Sequence, residues 1–158
     1  MEDLKILDYE ESMLDEMMQL FYDTVHTVNA KDYRKDQLNG WAPLKTDKRF
    51  WEQRLKKNIC KVAFLDGVMV GFTELVDKHV DTLYVHKDFQ RRKVAASLID
   101  EILQIAEEKK YSVLTTEASI TARLFFEAFG FRVTHVKKKL YNGKDFTNFK
   151  MTKDLSLC

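Results

Sequence analysis

The spacing of apolar residues changes several times along the chain, and each change marks an element. Leu4 to Leu7 reads as a short strand. Leu14, Met17, Met18, Phe21, Val25 and Val28 then recur every three or four positions, the stripe of one helix face, with Ser12 and Asp15 placed to cap it. Residues 34–41 and 46–57 predict two shorter helices, the second with Phe50, Trp51 and Leu55 on one side among charges. After Asn58, ICKVAFL and VMVGFTELV are β-rich runs joined by Asp66-Gly67, a dipeptide suited to a two-residue hairpin. HVDTLYV (79–85) is a third run. Ala95 to Lys110 predicts a helix with Leu98, Ile99, Ile102, Leu103, Ile105 and Ala106 inward, and Ser112 to Thr116 another strand. A helix over Ile120–Phe129 stops at Gly130. Phe131–Val136 and Phe146–Met151 flank Asn142-Gly143, a second hairpin signal. Hairpins mixed with strand-helix-strand crossovers predict an α/β fold, a mixed sheet of six or seven strands with helices on its faces.

Composition narrows the classes. A chain of 158 residues and 18.7 kDa fits one domain over 1–158 with a core that needs no disulfide or metal. Cys60 and Cys158 are far apart and show neither metal spacing nor a disulfide framework, so a reducing cytoplasm and no metal are expected. With 26 basic and 25 acidic residues the net charge is +1, which removes the global field a nonspecific nucleic-acid binder uses. No run approaches membrane-spanning length, and MEDLKILDYE lacks the pattern of a signal peptide.

Candidate chemistry concentrates at QRRKVA (90–95). A strand leading into a helix start exposes unpaired N–H groups and the positive end of the helix dipole, so residues 91–96 are placed to cradle a phosphate, with Arg91, Arg92 and Lys93 adding charge. A solvated basic turn is the competing reading. Upstream, His79 and Asp81 stand two apart on a strand, hence on one face, and pair a group that ordinarily titrates near neutrality with a carboxylate. In the helical third, Tyr22, His26, Asn29, Tyr33 and Trp41 read as caps and surface. Lys137–Lys139 reads as a strand edge protected by charge.

LYVHKDFQRRKVAASLIDEIL resembles the acetyl-coenzyme A signature of the GNAT acyltransferases, Gln or Arg, two variable residues, Gly, any residue, then Gly or Ala. Gln90 and Ala95 match it. EASITARLFFEAFGF is similar to a later element of the same family, and NAKDY, WAP and TNFKM are shared with a bacterial subgroup of it. The resemblance implies acetyl-coenzyme A as cosubstrate and a gap between parallel strands ending near Val85 and beginning near Ser112. The backbone of Leu83, Tyr84 and Val85 would pair with the pantetheine arm. Gln90, Arg91, Arg92, Lys93, Val94, Ala95 and Ala96 would hold the diphosphate, and Ser119 and Phe126 would border the coenzyme. His79 or Asp81 would serve as base or relay, with Glu74 in reserve. The helical third carrying Tyr22, His26, Asn29, Tyr33 and Trp41 would form one wall of the acceptor cleft.

Two positions depart from the family pattern. Lys93 stands where it has glycine, which is harmless if the turn keeps near-helical torsions. Phe126 stands where many members have a proton-donating tyrosine, leaving water, Tyr84, Tyr33 or Tyr141, or an unassisted thiolate. The implied activity is N-acetyl transfer to a primary amine, a small molecule, by direct attack in a ternary complex. A noncatalytic acyl-coenzyme A-binding module and a peptide or protein N-acetyltransferase are the alternatives. The chain is expected as a monomer or a homodimer, with the strand edge at 146–151 as the dimer contact.

Overall fold

The computed structural model describes residues 3–156; Cys158 lies outside them. Twelve regular elements follow in order: β1 (Leu4–Asp8), α1 (Leu14–Thr27), α2 (Lys35–Trp41), α3 (Lys48–Lys57), β2 (Ile59–Leu65), β3 (Val68–Val76), β4 (His79–Val85), α4 (Val94–Glu108), β5 (Val113–Ala118), α5 (Arg123–Ala128), β6 (Arg132–Tyr141) and β7 (Lys144–Asp154). Both predicted hairpins close as the dipeptides dictate, since Asp66 and Gly67 have φ of 50° and 83°, and Asn142 and Gly143 of 48° and 75°. The strands form one mixed seven-stranded sheet in the order β1-β2-β3-β4-β5-β7-β6, in which β4 and β5 alone are parallel.

Strand alternation sends two sets of side chains to opposite faces of this sheet. On one face Val62, Met69 and Phe72 pack with Met17, Phe21 and Val25 of α1, Leu38 of α2 and Trp51 of α3. On the other, Val70, Leu75, Val80 and Leu114 meet Val94, Leu98, Ile99 and Ile102 of α4, and Phe126 of α5. No helix among the described residues is long and apolar enough to cross a membrane.

Several local expectations are corrected. Ser12 and Asp15 do not cap α1: a 3-10 turn at Glu11–Met13 runs straight into the helix with Met13 already at helical torsions, so no side-chain cap forms. Asp15 and Glu11 instead pair with Lys48 (2.9 Å) and Lys56 (2.6 Å) of α3. The helix expected over Ile120–Phe129 is only Arg123–Ala128, because Ser119 Oγ accepts the Ala122 N–H in a preceding turn. Residues 146–151 are no sheet edge. They belong to β7, which is paired on both sides by β5 and β6, and the lysine-rich β6 is the edge.

Candidate active site

The sheet opens between its two parallel strands. β4 and β5 pair only at His79–Thr115 and Val80–Thr116. Thr116 Oγ1 donates to the Val80 carbonyl (2.8 Å), closing the last shared rung. On the β3 side Val80 faces Leu75 and Thr82 faces Glu74, so Asp81 is an extra residue, a bulge that bends β4 away from β5. His86 N–H donates to Val70 O (2.8 Å), and alternation down that ladder turns the main chain of Tyr84 toward β3 but those of Leu83 and Val85 into the gap. The Val85 carbonyl is taken by Gln90 Nε2 (2.7 Å) and Thr24 Oγ1 (3.2 Å). Leu83 is left to offer its N–H and C=O to an extended chain laid in the gap.

Two cavities flank this opening. The smaller, about 210 Å³, holds Leu83, Tyr84, Val85, Gln90, Ala95, Ser119 and Phe126 of the predicted coenzyme residues, together with Asn29. The larger, about 450 Å³, lies against α3 and the β6–β7 hairpin and includes His79, Asp81 and Trp41. Trp41, Asp81, Thr82, Tyr84, Glu117 and Ser119 line both. The bulge is therefore where the two spaces meet.

Arg91, Arg92, Lys93, Val94 and Ala96 fall outside the lining of the smaller cavity and form the loop and helix start beside Gln90 and Ala95. Val94 packs into the core with Leu98 and Val70. Arg92 stacks over the Phe89 ring at 5.4 Å. The condition of near-helical torsions at Lys93 is not met: the residue is left-handed at φ 63°, ψ 17°, and Arg91 also has φ 63°. The chain must reverse sharply to aim the first N–H groups of α4 out of the loop, and it does so here without glycine.

His79 Nδ1 lies 2.8 Å from Thr115 Oγ1, so the hydroxyl of β5 orients the ring, while Asp81 remains exposed. Glu74 is fully buried and already engaged: Arg54 Nε and Nη2 donate to its two oxygens at 3.0 Å each, joined by Asn58 Nδ2 (3.2 Å) and Thr82 Oγ1 (2.7 Å). Its place in reserve as a base gives way to a structural anchor, since the carboxylate has no open edge for substrate. Of the five residues predicted for the acceptor wall, only Trp41 lines the larger cavity. Tyr22 stacks on His26 (4.2 Å), His26 Nε2 bonds the Ala42 carbonyl (2.7 Å), and buried Tyr33 accepts the Ile120 N–H (2.8 Å), so these three brace the helices.

Sequence reading missed Glu117, Arg54 and Thr82. Burial alone would raise the Glu117 carboxyl, but Lys137 at 3.3 Å, Lys139 at 3.7 Å and His79 hold it below the usual carboxylate range. Tyr84 Oη accepts from Trp41 Nε1 (3.1 Å), and burial pushes its phenol well above the ordinary tyrosine value. Phe126 is apolar packing, edge-on to Phe131 at 5.2 Å.

Comparison with known proteins identifies the family and the fold. An acetyltransferase (GNAT) domain model matches residues 29–153. The chain is 30% identical over 151 residues to the uncharacterized N-acetyltransferase YafP of Escherichia coli strain K12, covering 96% of each chain. It is 31% identical, with a TM-score of 0.92, to a GCN5-related N-acetyltransferase from Rhodopseudomonas palustris described as "Aminotransferase, Class-II", covering 96% of this chain and 95% of that one. The fold also matches the PaiA N-acetyltransferase of Thermoplasma acidophilum, solved in complex with coenzyme A, at a TM-score of 0.79 and 17% identity over 96% of this chain and 99% of that one.

Proposed function

Because the chain belongs to the GNAT acetyltransferase family and is an N-acetyltransferase, we propose that it moves acetyl from acetyl-coenzyme A directly to a small primary amine, both bound at once. The observation that carries this reading is the meeting of two cavities, one on each side of the β4–β5 gap, at Asp81, Thr82 and Tyr84. A narrow slot with strand-like main-chain groups fits the pantetheine arm, and a wider aromatic space of about 450 Å³ is within the range of small-molecule sites.

Leu83 pairs with the amides of the arm, while the N–H groups starting α4, with Arg91 and Lys93 beside them, hold the diphosphate. The acceptor nitrogen approaches through the larger cavity and attacks the thioester carbonyl. The acceptor, arriving as an ammonium, first loses one proton to solvent; then a C–N bond forms, the C–S bond breaks, the nitrogen gives up its second proton and the sulfur gains one. In the tautomer that donates Nδ1–H to Thr115, His79 presents the Nε2 lone pair to receive the proton from nitrogen. Asp81, at the bulge, attracts the incoming ammonium.

Phe126 cannot give the sulfur its proton, and of the three tyrosines named as substitutes only Tyr84 lines both cavities. The indole N–H of Trp41 already occupies a lone pair on the phenol oxygen, so the hydrogen of Tyr84 is free to turn toward the sulfur, and burial keeps the phenol protonated. Thiol release from acetyl-coenzyme A is to be followed over a panel of amines, with calorimetric titration of coenzyme A alongside. Acetylated product and stoichiometric thiol with small amines are expected. Turnover confined to protein or peptide acceptors would overturn the small-amine reading.

A further inference from the structure

One cation in the larger cavity is arranged to read something other than the amine. Arg54 lies over the Trp51 ring, with Cζ 4.4 Å from the centroid. Its Nε and Nη2 are spent on Glu74, while Nη1 has no hydrogen-bond partner among the described residues. The side chain keeps 22% of its surface exposed and lines the larger cavity. A guanidinium fixed on one edge by a carboxylate and on one face by an indole cannot swing away. What it offers is a rigid set of donors on its open edge.

That edge stands at a set distance from the chemistry. Glu74 Oε2 accepts from both Arg54 Nη2 and Thr82 Oγ1, so the guanidinium is two hydrogen bonds from the residue that follows the bulge. Asp81 stands where the cavities meet, beside Glu117 with its Lys139 partner, whereas Arg54, Lys45 and Asp47 lie on the α3 side, where the Asp47 carboxylate takes the Phe50 N–H at the helix start. An ammonium is drawn to Asp81 and a carboxylate to Arg54, so an acceptor that carries both charges is aligned between the two. Trp41, Trp51 and Phe146 supply apolar surface beside this axis.

We propose that Arg54 determines acceptor specificity by binding a carboxylate, so that the preferred acceptors are free α-amino acids with apolar or aromatic side chains, acetylated on the α-nitrogen. This deepens the acetyltransferase reading above and rests on it. Acetylation removes the ammonium and with it the attraction to Asp81, which favours product release.

The test compares kcat/KM for L-phenylalanine, phenylalaninamide and phenethylamine, which share a ring and an amine and differ in the carboxylate. A charge-assisted contact of this kind predicts a preference for the acid of about ten- to a hundredfold. In the Arg54→Gln, Glu74→Gln double variant, where an amide pair replaces the ion pair, that ratio falls toward one, while the calorimetric Kd for coenzyme A stays within about threefold of the original. Loss of packing alone would lower all three substrates together and leave the ratio in place. Equal turnover of the three by the unmodified enzyme overturns the proposal without touching acetyl transfer, as does a ratio that survives the double variant. No thiol from any amine, with coenzyme A still bound, overturns both readings.

Discussion

At Lys93 a residue with a β-carbon holds a left-handed torsion that costs about 1–2 kcal/mol relative to a right-handed one. Lys93→Gly removes that strain but enlarges the unfolded ensemble, an opposing term of about 0.4–1 kcal/mol. The expected result is a Tm equal to or slightly above that of the native chain. The coenzyme A Kd should stay within about tenfold, because the N–H groups at the head of α4 remain. Calorimetry measures both, and complete loss of binding would assign the anion site to the lysine charge instead. Tyr84→Phe removes the phenol of a tyrosine that lines both cavities. It should lower kcat by about a hundredfold with little change in coenzyme affinity, and adding Phe126→Tyr should recover part of the loss. An unchanged kcat would give the proton to water. At this scale the sequence shows which residue types are present at a signature but not their torsions or partners. Glu117 and Arg54 carry no spacing signal, since each is a single charge among many until the fold brings Lys137 and Glu74 to it.

Among elements, the network around Glu74 does the joining. One carboxylate ties α3 through Arg54, the α3–β2 junction through Asn58, and β4 through Thr82. The wall of the larger cavity and the strand bordering the gap are thereby fixed to each other. Glu74→Ala would leave the Arg54 charge without its partner in a mostly buried position and should cost about 3 kcal/mol in urea-induced unfolding, the low end for a broken buried pair because Arg54 is partly exposed. A loss under about 1 kcal/mol would mean that water replaces the carboxylate. The order of elements and both hairpins could be read from the chain because turn dipeptides and apolar periods are local. The bulge at Asp81 could not, as it depends on register between β3 and β4, and a one-residue excess leaves no mark in composition. The same limit placed residues 146–151 at an edge, where strand order alone decides.

Across the whole molecule, ion pairs reach over β7 to link β5 and β6. Lys137 and Lys139 hold Glu117 below its usual value of 4.5, so the folded state binds its proton less readily than the unfolded chain does. Stability from this group is fully present above about pH 4.5 and is lost as pH falls through the depressed folded value. Thermal unfolding followed from neutral pH downward should show Tm falling below that point, and the Lys137→Met, Lys139→Met double variant should show a shallower fall. Parallel curves would remove the pair from the account. Other carboxyls depressed by partners, Asp36 and Asp154 among them, contribute to both curves alike, so the difference isolates Glu117.

By itself the sequence determined the period of each element, the two type-favouring turns, the near-neutral charge and the basic helix start, because all of these are set by neighbours within a few residues. The tertiary structure alone decided that β4 leaves β5 after two rungs, that Glu74 is an anchor, that Tyr84 lines both cavities and that Arg54 lines the larger one. Those outcomes depend on contacts between segments far apart in the chain, where the energy of packing and of a buried charge, not local preference, selects the arrangement.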